Sequence, residues 1–364
     1  MSEPRGPGRR RQRGLSIIEV MVGMVIALII SLAAAGSART FTASQRQGIG
    51  AGGVAVNLTT TMATLKDDAS SAGLGFFGTR DSDNVSQFAC HKMHLSYKAT
   101  KLFDGTAFSP MLITHGDHND QVDLVYASSI DGGADVLLSG TAGATSAQAQ
   151  SLLTAAVGQL VMLIPGSAGS SSEPCLVRGV TGVTAATSTT PPTPLTFAFA
   201  NSNNYNQAAF TNTPAFSESN KDRIIVLGNL NWRRYRLDGT TLLYEQPILG
   251  TSSTLLRNVM SFRAQYGVAT NGTSNDLSWV DATGSWAAVS GATVDRIRAV
   301  RFGIVVRSAQ PERPTGGGSC EASPAKPRDP LDPVNTEVEP DVANWQCYHY
   351  RSETVVVPLR NFVW

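Results

Sequence analysis

The sequence predicts an α+β protein. One long N-terminal α-helix, its first part spanning a membrane, precedes a β-rich globular domain of antiparallel sheets. Three observations predict it. An apolar run occupies residues 15–35 behind a basic leader. Apolar residues at helical spacing follow at Leu58, Met62, Leu65 and Ala69. From about residue 76 onward, short runs alternate with period two between turn signals.

The first 14 residues hold Arg5, Arg9, Arg10, Arg11 and Arg13 against Glu3 alone. The rest of the chain has 24 basic and 27 acidic residues, a formal side-chain charge of −3, while the whole chain carries +1. The basic character therefore belongs to the leader, where it holds the N-terminus on the cytoplasmic side of a membrane. Near-neutrality gives no global case for nucleic-acid binding.

From Leu15 to Ala35 there are 21 residues with one charge, Glu19. A helix rising about 1.5 Å per residue reaches roughly 30 Å over this length, the hydrocarbon thickness of a bilayer. A signal-peptide core is shorter, about 7–15 residues. Three readings remain open: a signal peptide cut after Ala33-Ala34-Ala35, a plain anchor with Glu19 near the membrane edge, or a precursor processed around Gly14. Glu19 bears on the choice. A carboxylate in the apolar layer costs about 2.5–3.5 kcal/mol on insertion scales. No Lys or Arg lies between Leu15 and Arg39 to pair with it. The free α-amino group of a chain beginning at Leu15 would be a cation at the right depth. In a helical assembly, the amine of one subunit can meet Glu19 of its neighbour as a charge-assisted pair.

Polar residues follow the apolar run, as expected of a helix leaving a bilayer. Gly48, Gly50, Gly52 and Gly53 each weaken a helix by about 1 kcal/mol relative to Ala, which predicts a bend or a locally melted segment. The stripe of Leu58, Met62, Leu65 and Ala69 suits packing on a globular domain, with Lys66, Asp67 and Asp68 largely off it. Gly73 and Gly75 end the helix. The expected organisation is a leader at 1–14, a helix at 15–75 with its membrane segment at 15–38, and a globular domain at 76–364.

Within that domain, residues 121–127 alternate, with Val122, Leu124 and Tyr126 on one face; residues 159–164 are a short buried run. Residues 231–246 are the clearest hairpin, two strand-like runs around Asp238-Gly239. Residues 261–268 and 298–308 are strands, the latter with Val300, Phe302, Ile304 and Val306 on one face. The last strand groups Val355, Val357 and Leu359, and Pro358 marks an edge or a strand end. Segments rich in Ser, Thr, Gly and Pro at 165–174, 187–194 and 310–333 are surface loops.

The four cysteines, Cys90, Cys175, Cys320 and Cys347, form no C-x-x-C pair, which weakens zinc and thioredoxin-type readings. An even count behind a membrane-targeting segment suggests disulfides in an oxidising compartment. Of the three connectivities, Cys320 with Cys347 and Cys90 with Cys175 is favoured, because the first pair clamps a Pro-rich loop. Unpaired thiols are the alternative.

Chemistry-bearing clusters are few. His115, Asp117, His118, Asp120 and Asp123 lie close in sequence, but His-x-x-His in a polar loop fits a solvated turn better than a metal, which needs three or four convergent ligands. His91 and His94 stand beside Cys90, whose expected place is a disulfide. Arg233, Arg234 and Arg236 interleave with Trp232 and Tyr235. On a strand they divide between two faces, which makes a poor phosphate track. Gly316, Gly317 and Gly318 lie in a Pro-rich loop and read as flexible. No nucleophile elbow, phosphate loop or paired catalytic carboxylates stand in a credible context. No enzyme, cofactor or metal is expected.

The stretch RQRGLSIIEVMVGMVIALI resembles the N-terminus of type IV prepilins and type II secretion pseudopilins. The resemblance implies cleavage after Gly14, N-methylation of Leu15 and an assembly role for Glu19. Leu15 departs from the Phe most common in that family. YRLDGTTLLYEQPIL, MSFRAQYGV, VRFGIVVRS and VPLRNF resemble, in order, the C-terminal half of PilW-type minor pilins of type IV pili. The resemblance covers both ends of the chain and does not extend to the middle, about residues 80–220. The resemblance implies a pilin-like fold and a role in initiating or assembling the pilus. The implied partners are other minor pilins, the major pilin and prepilin peptidase, with nucleic acid not expected. The implied location is the inner membrane, single-pass with a periplasmic domain, and then the pilus. A type II secretion pseudopilin and an anchored or secreted β-rich adhesin are the alternatives.

Overall fold

Helical backbone runs from Ile17 to Ser71, 55 residues, in the computed structural model of the protein. The structure describes residues 16–364 except 78–88, 118, 129–134, 151–152, 154, 167–172, 188–193, 271–275, 290, 313–318, 333, 335, 340–341 and 360–364. The chain divides into two units, Met1–Gly53 and Val54–Trp364.

In the first unit, Ile17–Ala38 is long and apolar enough to cross a membrane, 22 residues of mean hydropathy 2.6. Its large apolar side chains, among them Ile17, Met21, Met24 and Leu28, are exposed. The glycine run at 48–53 is helical, so the melted segment that its composition predicts does not occur. No proline removes a backbone donor there. The propensity cost of about 1 kcal/mol per glycine is met within a long helix that needs no new nucleation.

In the second unit the helical stripe is the centre of the first core. Leu58, Met62, Leu65 and Ala69 are at most 3% exposed. They share that core with one face each of two antiparallel sheets. The first has five strands in the order Thr251–Arg257, Thr241–Gln246, Leu230–Asp238, Gln121–Ala127, Met111–Thr114. The second has four, in the order Leu277–Val280, Val259–Ala269, Ile297–Arg307, Tyr350–Pro358. Val300, Phe302, Ile304 and Val306 are fully buried on the shared face. The hairpin closes with Asp238 opposite Thr241 and Gly239 at φ +57°, the positive φ its turn requires. Pro358 pairs with Ala299 at the end of an edge strand, where a missing N–H is tolerated.

Gly73 and Gly75 take the chain out of the helix at φ +83° and +85°. Gly75 has a second reason to be glycine: a Cβ there would lie 2.8 Å from Ala127 Cβ and 2.9 Å from Leu227 Cδ2. The exit turn is bonded to the sheet. The Gly73 N–H donates to the Val125 carbonyl, and the Ala127 N–H donates to the Leu74 carbonyl, both at 2.9 Å.

The middle of the chain builds a six-stranded sheet, in the order Thr100–Ala107, Lys92–Tyr97, Cys175–Gly179, Leu160–Ile164, Arg223–Gly228, Val136–Leu137. One of its pairings departs from the antiparallel rule. Lys92–Tyr97 runs parallel to Cys175–Gly179, with Met93 opposite Cys175 and His94 opposite Leu176. One face of this sheet (Met93, Leu95, Met162, Val177) meets the second face of the five-stranded sheet (Val125, Ala127) in a second core. The other face (Val161, Leu163, Leu176, Ile224) packs under Phe197, Phe199 and Phe216 in a third. These phenylalanines come from or adjoin two small sheets, of three and two strands.

Candidate functional site

Of the residues expected to carry function, Gly14 and Leu15 lie outside the described residues. Glu19 stands exposed in the first turn of the helix. Its position has a local use that charge counting misses. Ser16 and Glu19 have the S-x-x-E spacing of a capping box at a helix start, and an acid in the first turn is favoured by the helix dipole. Glu19 therefore has two possible partners, the N-terminal backbone of its own helix and a cation from outside the chain.

The globular unit holds its helical segment with a polar clasp. Asp68 accepts hydrogen bonds from the Tyr126 hydroxyl at 2.8 Å and from the Tyr235 hydroxyl. Tyr235 is fully buried, and Arg233 lies over the Tyr244 ring and within 3.5 Å of the Tyr126 hydroxyl. Burial, opposed by Arg233 and reinforced by Asp68, pushes the Tyr126 phenol up to about 12. Tyr235 is pushed up as well, first by burial and then by the Asp68 charge.

The 115–120 loop is a clasp of the same kind. Asp120 is 2% exposed. It accepts the Ala264 N–H at 2.8 Å, the Gly116 N–H at 3.3 Å and Arg263 Nη1 at 3.1 Å, and His115 Nδ1 lies 2.9 Å away. Burial raises the Asp120 carboxyl against the pull of those donors. Arg263 also donates to the Gly116 carbonyl and to Asp329 of the Pro-rich loop, at 2.7 and 3.2 Å. A cleft of about 220 Å³ opens between these loops, bounded by Asp117, Arg263, Asp329, Glu337 and Glu339. His118 lies outside the described residues. Among the described residues no group of three or more His, Cys, Asp or Glu side chains is placed to hold a metal.

Two of the hairpin arginines, Arg234 and Arg236, are engaged by carboxylates. Arg234 Nε and Trp232 Nε1 both donate to Asp123 Oδ1, at 2.8 and 2.7 Å. Arg236 Nε donates to Glu245 at 2.9 Å. Each would have to give up a charge-assisted bond to take a phosphate.

The structure brings the cysteines together in pairs. Cys90 is bonded to Cys175 and Cys320 to Cys347. The first bond lies where the parallel pairing of the six-stranded sheet begins. The second ties the Pro-rich loop to the short 3₁₀ turn Trp345–Cys347.

One buried charge is left unmatched. Arg178 is 2% exposed in the strand Cys175–Gly179, and its Nε and Nη1 have no hydrogen-bond partner among the described residues. Its visible compensation is the Phe210 ring, 5.2 Å from the guanidinium carbon. A cation–π contact contributes about 0.5–2 kcal/mol, whereas burying a charge costs several kcal/mol. Burial pulls the Arg178 pKa down, yet an arginine stays charged at neutral pH. His94, fully buried, meets the same Phe210 ring in a tilted contact with the ring centroids 4.7 Å apart, and its Nδ1 lies 3.3 Å from Asp104. Burial lowers the His94 pKa, Asp104 and the Asn212 backbone oppose that, and Arg178 adds to it.

Two family models match the chain. One, described as type IV pilus-assembly protein W (PilW), matches residues 229–361; the other, the prokaryotic N-terminal methylation motif, matches residues 9–35. The chain is a type IV pilin-like protein with a PilW domain. In this pilin-like protein the PilW match takes in three strands of the five-stranded sheet and all four strands of its neighbour. The methylation motif takes in Gly14, Leu15 and Glu19. Among solved structures, the pilin-like chain is similar to a type IV-like pilin, TTHA1219 from Thermus thermophilus. The identity is 8%, the match covers 85% of this chain and 97% of that one, and the TM-score is 0.35. No curated protein matches it.

Proposed function

We propose that the protein is a minor pilin that takes part in initiating or assembling a type IV pilus. It is made as an inner-membrane precursor, cut after Gly14 by prepilin peptidase and methylated on Leu15. It then packs with other minor pilins and the major pilin through its N-terminal helix. The observation that carries this reading is the joining of a methylation motif to a PilW domain in one chain, with an apolar helix whose single charge is Glu19. Two disulfides suit a domain held in the periplasm. The matched domain and motif are those of pilus assembly, so the role in this reading is contact and assembly, with no catalysis.

Intact mass and the N-terminal peptide of protein recovered from its native membrane test the processing. A chain beginning at methylated Leu15 is expected; one beginning at Gly36 would overturn it. Glu19→Gln separates the two uses of the acid. A capping box accepts Gln, but Gln cannot form an ion pair with the amine of a neighbouring subunit. Intersubunit pairing predicts that Glu19→Gln and Glu19→Ala impair co-isolation with the other minor pilins alike, with membrane insertion intact. Normal incorporation of Glu19→Gln would assign Glu19 to its own helix.

A further inference from the structure

We propose that Arg178 anchors a binding site for a small oxyanion, a carboxylate or phosphate group, roofed by Phe210. This lies beyond the assembly role and on a different part of the molecule.

Arg178 supplies the recognition. Its guanidinium has donors and no acceptor. Nε and Nη1 are buried without a hydrogen-bond partner among the described residues. A buried donor without a partner calls for an ion or a water. An oxyanion meets that demand better than water, because it neutralises the charge as well as accepting the bonds. His94 stands beside it, in contact with the same Phe210 ring.

The roof is built to lift. Residues 199–215 run without regular strand or helix between Leu195–Ala198 and Phe216–Ser217. The firm anchor of this strap is Asn206, which is buried and exchanges hydrogen bonds with both the N–H and the carbonyl of Gly179, at 2.8 and 2.7 Å. Four residues further on, Phe210 is only half-buried. The next tie is Thr211, exposed, whose N–H donates to Asp104 at 3.0 Å. Asp104 also serves Lys101 at 2.8 Å, so the tie at Thr211 is shared. Rotating Phe210 outward breaks its ring contacts with Arg178 and His94 and its packing on the third core, and leaves the Asn206 anchor in place.

The test is isothermal titration of the full chain in detergent with sodium phosphate and, separately, sodium acetate. Ionic strength is held constant with chloride. One-to-one saturable binding of either probe is the expected result. Phosphate alone would assign a phosphoryl group, acetate alone a carboxylate, and both a general oxyanion site. Arg178→Met should abolish saturation while keeping both disulfides and the β-sheet circular dichroism. Phe210→Ala should raise the apparent affinity, by about ten-fold if the roof is open about a tenth of the time in the parent protein. Absence of saturation in both the parent and Phe210→Ala would overturn the proposal, as would undiminished binding by Arg178→Met. Should Arg178→Met fail to fold, Phe210→Ala decides: affinity unchanged or weakened refutes the roofed site.

Discussion

The Asp68 clasp makes the sharpest quantitative prediction. Asp68 lies off the apolar stripe of its helix, so sequence patterning gives it no structural weight. In the fold it accepts two phenolic hydroxyls, one from a fully buried tyrosine. A hydrogen bond to a charged group contributes about 1.5–3 kcal/mol, and a buried donor left unpaired costs about 1–3 kcal/mol. Tyr126 can turn to water from its half-buried position; Tyr235 cannot. Asp68→Ala should therefore cost about 3–5 kcal/mol, one charged bond plus one stranded phenol. Tyr235→Phe removes the stranded donor as well as one bond, and should cost about 1.5–3 kcal/mol. The double variant strands no phenol and should cost no more than Tyr235→Phe alone, so the two sites should couple by about 3–5 kcal/mol. Urea unfolding followed by tryptophan fluorescence, disulfides intact, measures all three as shifts in midpoint at constant slope. A loss below about 1 kcal/mol for Asp68→Ala, or additivity in the double variant, would show that the carboxylate is solvated in solution and that packing alone holds the helix.

Other outcomes follow from the same structure. Removing Cys90–Cys175, which closes a separation of 85 residues, should cost about 4–5 kcal/mol by loop entropy. Removing Cys320–Cys347, over 27 residues, should cost about 3–4 kcal/mol; equal losses in non-reducing urea titrations would refute the loop-length account. Gly75→Ala combines a positive φ with Cβ overlap against Ala127 and Leu227; a midpoint shift worth about 2–4 kcal/mol is expected, and a neutral outcome would mean that the exit turn relaxes freely. Alkaline pH should weaken the fold. Tyr126 and Tyr205 are both raised from 10.0 to about 12, mainly by burial, so their protonated forms are favoured in the folded state. Their contribution is complete below pH 10 and declines as pH rises toward about 12, by about 1.4 kcal/mol per pH unit for each phenol. Stability flat across that window would show the hydroxyls to be exposed.

How much of this was legible in the sequence depended on whether a residue's partner was near in sequence or far. The apolar run, the stripe from Leu58 to Ala69, the Asp238-Gly239 hairpin and the Val300–Val306 face all carry their periodicity within one element, and all can be read directly. The six-stranded sheet cannot. Leu160–Ile164 is buried throughout its five residues, so it shows no alternation and resembles any short apolar run. The glycine run shows the opposite error. There, local propensity spoke against helix at 48–53, and the continuity of a long helix overruled it. The clasps were invisible for a third reason. Asp68 meets Tyr235 across 167 residues and Asp120 meets Arg263 across 143, and a charged residue with a distant partner looks like any solvated surface acid. Arg178 is harder still, since nothing in the pattern of an apolar strand marks which single charge will be buried.

The boundary of the family match is not a boundary of the fold. Residues 229–361 supply three strands to the five-stranded sheet, but its other two, Met111–Thr114 and Gln121–Ala127, come from the unmatched middle. Gln121–Ala127 is also the strand that belongs to two cores. Val122 and Leu124 face the helical stripe, while Val125 and Ala127 face the six-stranded sheet. The same strand receives the helix exit through Val125 and Ala127, and presents Tyr126 to Asp68 and Asp123 to Trp232 and Arg234. A change in this strand therefore reaches the PilW domain directly, through side chains of alternating direction, and the Asp120 clasp on Arg263 and the Phe103 ring on Trp232 join the two regions as well. This arrangement reconciles a recognisable C-terminal half with an unrecognisable middle. The residues at these contacts have to stay complementary across the boundary, and the two small sheets over the third core lie beyond them.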